Sequence, residues 1–269
     1  MSTRKYSSLF LFGIVLLALT PSHSLLADFT EVTRPDPALI QTAFPRNEKM
    51  IYELTWLGIK AGTVSINIRQ KESGNWYILG EARSSPLFSI FFPVEDRFET
   101  EMGPEMFPEW ITLQQREGCY QAFRRVIFQQ DRLKVISEKD GDPSKTYKLT
   151  RPSHNELTSF LVLRTLPLKE GRSVFLETFA SDKSYTVEVK VIKRERLQTN
   201  FGEINAIKVR PELPFKTVQE QKGEFYAWFT DDQRRLPIKL QGGVILGSMV
   251  GILVEWQVDD KPIFRNPES

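Results

Sequence analysis

Apolar residues recur at every second position through most of this chain, and that alternation restricts its fold more than any other feature. Met50, Tyr52, Leu54 and Trp56 keep the phase, and after a turn at Gly58 it is resumed by Val64, Ile66 and Ile68, interleaved with Thr63, Ser65, Asn67 and Arg69. A period of two buries one face of a strand and wets the other, which is the pattern of antiparallel sheet.

One stretch breaks the rule. Residues 157–166 read L-T-S-F-L-V-L-R-T-L, with Leu157, Phe160, Leu161 and Arg164 on one helical face and Leu163 and Leu166 widening it. Ser153, His154 or Asn155 can cap its start, and Glu156 puts a carboxylate where the helix dipole favours one. Pro167 and then Gly171 end it. The spacing predicts one main helix over about 154–166, laid against sheet.

Further strands are predicted at 76–83, 94–102, 110–117 and 120–129, with a hairpin pairing 133–138 and 146–149 across K-D-G-D. Beyond the helix they continue at 173–179, 185–196, 204–209, 225–229, 236–240 and 250–258. About a dozen strands and one helix make the chain mainly β: a strongly curved antiparallel sheet, a half-open barrel or two packed sheets. Residues 28–46, rich in proline, are expected as an extended leader, 47–258 as a single β-rich domain and 259–269 as a polar tail. Residues 211–218 are expected as an irregular loop, and the glycine-spaced run 242–253 as a bent strand pair beneath the helix.

The N-terminus carries a different signal. Arg4 and Lys5 precede an apolar run from Leu9 to Leu19, and Pro21 breaks it before small residues, which predicts a secretory signal peptide over 1–27, cleaved after Ser24 or Ala27. Eleven apolar residues fall short of the roughly 20 that a bilayer span needs, so the mature chain is expected to have no transmembrane segment. A lipid anchor would need a cysteine just after the run; the only cysteine is Cys119, so the product is expected to be soluble, periplasmic and not lipid-anchored. One cysteine allows no internal disulfide.

Without its two basic residues this segment leaves 34 Lys and Arg against 34 Asp and Glu. Zero formal charge argues against nucleic acid as a partner.

Catalytic constellations are sparse. With His23 in the signal segment, His154 is the sole remaining imidazole, so a histidine metal site or a Ser-His-Asp triad lacks its parts. Cys119 is expected as a small core residue rather than as half of a Cys119–His154 dyad. Glu99 and Glu101 share a strand side near Glu95 and Asp96, the raw material of a Ca²⁺ site or a glycosidase-like pair, but Arg97 among them favours solvated edge charge. No cofactor, metal or catalytic residue is predicted. Asp231 and Asp232 read as a β-turn.

The stronger lead is apolar. S-P-L-F-S-I-F-F-P at 85–93 is too short to turn Leu87, Phe88, Ile90, Phe91 and Phe92 all inward; it either covers one end of the sheet or forms an exposed patch, as at a ligand mouth or a membrane-touching lip.

Four blocks carry a family likeness: M-I-Y-E-L-T-W-L-G-I-K-A-G at 50–62, L-T-S-F-L-V-L-R-T-L-P-L-K-E-G at 157–171, L-Q-T-N-F-G at 197–202 and W-F-T-D-D-Q-R-R-L-P-I-K-L at 228–240. Together they resemble the bacterial exported family called domain of unknown function 3108. The resemblance implies an extracytoplasmic β-rich domain behind a signal peptide and assigns no activity. Its plan is also similar to that of bacterial envelope carriers of lipoproteins and lipids, an analogy of fold.

The expected function is therefore non-enzymatic binding of an apolar ligand, a lipid or acyl chain, by Leu87, Phe88, Phe91, Phe92 and the helix residue Phe160. Two alternatives stand beside it: a module docking on another envelope protein, and a carboxylate-dependent hydrolase.

Overall fold

The computed structural model describes residues 31–212, 224–243 and 247–265. The predicted signal peptide and most of the loop at 211–218 lie outside them. Helix α1, Pro37–Ala43, is followed by β1 Asn47–Trp56, β2 Ile59–Gln70, β3 Trp76–Ser84, α2 Pro86–Ser89, β4 Glu95–Met102, β5 Pro108–Glu117, β6 Tyr120–Gln129, β7 Lys134–Lys139 and β8 Asp142–Lys148. Helix α3, Glu156–Val162, runs into a 3-10 turn at Leu163–Thr165. Then come β9 Ser173–Ala180, β10 Lys183–Thr199, β11 Gly202–Glu212, β12 Phe225–Thr230, β13 Pro237–Gly243, β14 Ser248–Val258 and β15 Lys261–Arg265.

All 15 strands form one sheet in the order β8-β7-β6-β5-β4-β3-β2-β1-β14-β13-β12-β11-β10-β9, with β15 added to β14. Every ladder is antiparallel, so of the expected architectures the two packed sheets are set aside and the single curved, open sheet is found. The chain makes one meander from β1 to β8 and a second from β9 to β14. The ladder between β1 and β14 joins them, and α3 carries the crossover between the two free edges. Among the described residues no helix is long and apolar enough to cross a membrane.

The helix lies in the concavity. Leu157, Leu161, Val162, Leu163 and Leu166 join Met50, Tyr52, Ile68, Ile78, Phe98, Val189, Ile207, Phe229 and Leu253 in one contiguous core. A smaller cluster, Ile111, Leu113, Val126, Phe128, Val135 and Leu149, lines β5–β8, and Phe179 of β9 completes it, edge-on to Phe128 at 6.1 Å. Side chains, rather than a ladder, thus bring the two ends of the sheet together. Arg124 on β6 adds an ion pair to Asp182 at 2.6 Å, at the β9–β10 turn.

Asn155 is the helix cap. Its Oδ1 accepts from Thr158 N at 2.8 Å, its own N–H donates to Thr158 Oγ1 at 3.0 Å, and its Nδ2 donates to Thr100 Oγ1 on β4 at 3.1 Å. The cap therefore both starts the helix and bolts it to the sheet.

The leader is better ordered than its prolines suggest. Thr33 exchanges hydrogen bonds with Phe175 at 2.9 and 3.0 Å on the outer edge of β9, and His154 exchanges two more with Glu177 and Phe179 at 2.8 and 2.7 Å. That edge is thereby covered. Asp36 caps α1 with Pro37 in the first turn, and Phe44 is buried against Trp76 at 5.6 Å. The polar tail is likewise structured in part: β15 pairs Phe264 with Trp256. Met249, Gly251, Leu253, Trp256 and Val258 of β14 all face the core, because a bulge at Ile51/Tyr52 shifts the register between the two halves of the strand.

Candidate functional site

In an antiparallel meander alternate turns share one end, and here the β1–β2, β3–β4 and β5–β6 connections do so. That end carries seven of the eight large hydrophobic side chains most exposed among the described residues: Leu57, Ile59, Leu87, Ile90, Phe91, Tyr120 and Phe123. Ile263, on β15, is the other.

The centre of this rim is α2 and the residues just after it. Ser85 starts the helix by accepting from Phe88 N at 3.4 Å, and its hydroxyl donates to Lys60 O at 2.8 Å, which fastens the loop to β2. Phe88 and Phe92, four residues apart, turn toward the sheet: Phe88 meets Trp56 edge-on at 5.9 Å, and Phe92 lies over Gly118. Leu87, Ile90 and Phe91 share the opposite side and are 55%, 74% and 82% exposed. A single turn of helix can bury only one face, so the other must be wet.

Beside it, the β1–β2 hairpin turns through Leu57 and Gly58 at φ values of 51° and 81°. The left-handed region is costly for a bulky L-residue, about 1–2 kcal/mol, yet Leu57 occupies it at the hairpin tip with 63% of its surface exposed, and Ile59 follows at 52%. Paired charge surrounds these apolar groups: Lys60 with Glu53 at 2.5 Å, and Arg83 and Arg116 with Glu95 at 3.7 and 3.6 Å.

Of the residues expected to bind an apolar ligand, Leu87, Phe88, Phe91 and Phe92 sit in this loop. Phe160 does not belong to it: half-buried on α3, it packs on Phe229 of β12 at 5.5 Å. Leu57 and Ile59 are rim residues that the strand reading passed over; both stand at odd positions, out of phase with Met50, Tyr52, Leu54 and Trp56 of β1 and with Val64, Ile66 and Ile68 of β2. The dipeptide Leu-Gly at a two-residue turn was their available signal.

The ionisable groups are otherwise engaged. Glu99 accepts from the Tyr77 hydroxyl and from Arg97 Nε at 2.9 Å, which hold its carboxyl below the usual range. Burial would raise Glu101, but hydrogen bonds from Lys71 at 2.6 Å and Asn75 at 3.0 Å overrule it and hold the group low. A cleft of about 100 Å³ among Glu81, Arg83, Glu95, Arg97 and Arg116 is charged, and each of its three arginines is ion-paired to Glu81 or Glu95.

His154 is buried and stacks on Phe107 at 4.7 Å, and burial pushes its imidazole down to about 3, so it is neutral at physiological pH. Cys119 is exposed beside Gly118 in the β5–β6 turn, not in the core as expected of a lone cysteine among strands. Among the described residues no group of three or more His, Cys, Asp and Glu is placed to hold a metal ion.

A rolled, open β-sheet around an interior helix, with an apolar rim at one end, defines a β-barrel-like class of protein. Within it, this chain belongs to the family described as protein of unknown function DUF3108, whose model matches residues 51–254. No curated protein matches the chain. A solved β-barrel-like protein of domain of unknown function DUF1849 from Brucella abortus is similar at a TM-score of 0.56 and 9% identity, over 81% of this chain and 100% of that one. The hypothetical protein CT021 from Chlamydia trachomatis superposes at a TM-score of 0.41 with 7% identity, over 87% of this chain and 98% of that one. The Brucella likeness concerns the fold alone.

Proposed function

We propose that this DUF3108 protein is exported to the periplasm and works without catalysis, by apolar contact, setting the rim formed by its hairpin tips onto the acyl chains of a lipid surface. The observation that carries this reading is the side shared by Leu87, Ile90 and Phe91, turned to solvent while Phe88 and Phe92 hold the loop down. Large exposed apolar groups on neighbouring turns are unfavourable in water and mark a contact surface.

Two features favour lipid over a folded partner. The apolar groups project from separate turn tips at one end of the sheet, a shape suited to dipping into a fluid layer rather than to matching a flat protein face. Lys60, Arg83 and Arg116 stand directly behind them, at the level where headgroups would lie. The export signal at residues 1–27 supports the compartment.

The experiment is flotation of the mature protein with phospholipid vesicles, beside a double variant Ile90→Asp and Phe91→Asp. Binding by the parent and its loss in the variant, with both equally folded, is the expected result. A parent that never floats, but captures an envelope protein through the same side chains, would replace lipid with a docking partner.

A further inference from the structure

Two buried acids stand at the strand ends beside the apolar loop. Asp96 on β4 and Glu117 at the end of β5 are each 3% exposed. Asp96 Oδ1 accepts from Arg116 N at 2.9 Å, whereas its Oδ2 is buried with no hydrogen-bond donor among the described residues. Glu117 accepts from Gln115 Nε2 at 3.5 Å, and its carboxyl acts on Asp96 both as a charge and as a hydrogen-bond partner. Two carboxylates cannot satisfy each other, because both only accept; a proton on Asp96 turns its buried Oδ2 into a donor toward Glu117.

Their position matters more than their chemistry alone. Val94 and Glu117 are bridge partners, and Gly118 N donates to Pro93 O at 2.8 Å, so the end of the loop is seated on the strand end that carries Glu117. At its other end Ser84 binds Val94 N at 2.9 Å and meets the Ser89 hydroxyl at 2.7 Å. The segment 85–93 is thus pinned at two points, and the backbone bridge at one of them belongs to Glu117, two residues along the ladder from Asp96.

We propose that Asp96 holds a proton toward Glu117 and so forms a latch, which keeps the 85–93 loop seated on the sheet and loosens it when that proton leaves for solvent. No bond other than O–H changes. Loss of the proton sets two adjacent carboxylates, both withdrawn from water, against each other at the strand ends that flank the loop.

Burial raises Asp96 to about 7; the Arg116 N–H works against this and the charge of Glu117 adds to it, so the change falls near neutral pH. The charged groups around Asp96 are Glu81 and Arg83 from β3, Glu95 and Arg97 from β4, and Arg116 from β5. The arginines turn to other carboxylates, Arg97 to Glu81 and Glu99, Arg83 and Arg116 to Glu95.

This inference concerns regulation of the same rim and takes its functional sense from the lipid reading, but its test needs no lipid. Hydrogen exchange of the full mature protein is followed between pH 5.5 and 8.5, corrected for intrinsic chemistry, in peptides covering 84–94, 113–119 and, as control, 225–240. Protection of the first two is expected to fall at least tenfold across a midpoint near pH 7, with the control unchanged. In Asp96→Asn the amide Nδ2 donates to Glu117 as the Asp96 proton does, so protection persists to pH 8.5; Glu117→Gln, whose amide donates to Asp96, does the same from the other side if the first variant folds poorly. Exchange of 84–94 that ignores pH in the parent, or a transition that survives both substitutions at the same midpoint, overturns the latch. Exchange that obeys the prediction beside vesicles that never bind overturns the lipid reading and leaves the latch standing.

Discussion

Arg164, at the end of the interior helix, grips Glu48 of β1 with two hydrogen bonds, Nη1 to Oε2 at 2.7 Å and Nη2 to Oε1 at 3.0 Å, and both side chains are fully buried. The pair is completely served. Trp256 Nε1 donates to Glu48 at 2.8 Å, Arg164 Nε donates to Arg234 O at 3.2 Å, and the guanidinium lies over Phe44 at 4.8 Å. Five parts of the chain, namely leader, first strand, helix, the β12–β13 turn and β14, meet at this one ion pair.

Removing one partner strands the other in the core. Arg164→Met or Glu48→Leu is therefore expected to destabilise the fold by about 3–5 kcal/mol in urea unfolding, with the double variant that combines the same two substitutions less harmful than the two singles summed. Strict additivity would show that the pair carries no coupling.

Asn155 gives a second, smaller prediction. Replacing it with Ala removes the cap and also leaves Thr100 Oγ1 without the Asn155 donor, so a loss of about 1–2 kcal/mol is expected. Asn155→Ser should restore part of it, because serine can cap but cannot reach β4; full recovery would mean that the bolt to Thr100 contributes nothing.

Gly80 faces Phe98 directly across the β3–β4 ladder, and a Cβ there would lie 1.5 Å from the Phe98 ring. The ring occupies the space that glycine leaves. Gly80→Ala is expected to cost roughly 1–3 kcal/mol or more, and Phe98→Leu in the same chain to recover part of it, as thermal unfolding would report.

The pH dependence of stability has two opposed contributions. His154 is depressed to about 3 from an ordinary 6.5, so the unfolded chain takes up a proton first and stability falls as pH drops from 6.5 toward 3. Asp96 is raised to about 7 from 3.8, so the folded chain holds its proton longer and stability falls as pH climbs from about 4 to 7. The windows overlap with opposite signs. Relative to the parent, His154→Phe, which keeps a ring against Phe107, should gain stability as pH falls from 6.5 to 4.5, and Asp96→Asn should gain it as pH rises from 5 to 7.5. Urea midpoints across that range check both; parallel curves for parent and variants would contradict the shifts.

Much of this fold could be read from alternation, because strands wetted on one face write their burial into every second residue. The buried face of β1 was legible for that reason, and the interior helix at 157–166 because it breaks the alternation. Strand order was not: pairing of β1 with β14 depends on a contact 200 residues away in sequence, for which local pattern holds no information. The leader misled because prolines at 35 and 37 describe a helix entry as readily as an extended chain, and Asp36 between them decides the matter by capping. Arg164 was placed on the apolar face correctly, but only its partner Glu48, itself in phase with Met50 and Tyr52, explains why a charge is tolerated there. At the rim, Phe88 and Phe92 at a spacing of four, against Leu87, Ile90 and Phe91, contained the division into buried and exposed sides. The carboxyl pair was hidden, since Asp96 looks like one of several strand charges until burial sets it facing Glu117.

The central claim is that this protein acts through the apolar groups at its hairpin end. The most direct measurement is vesicle flotation of the mature protein with increasing numbers of these groups made acidic: Leu57, then Ile90, then Phe91. All three are exposed, so unfolding midpoints should stay within about 0.5 kcal/mol of the parent. Each substitution is predicted to weaken vesicle binding stepwise, at least fivefold for Phe91→Asp alone. Binding that is unchanged in the triple variant, with the fold intact, would contradict the account.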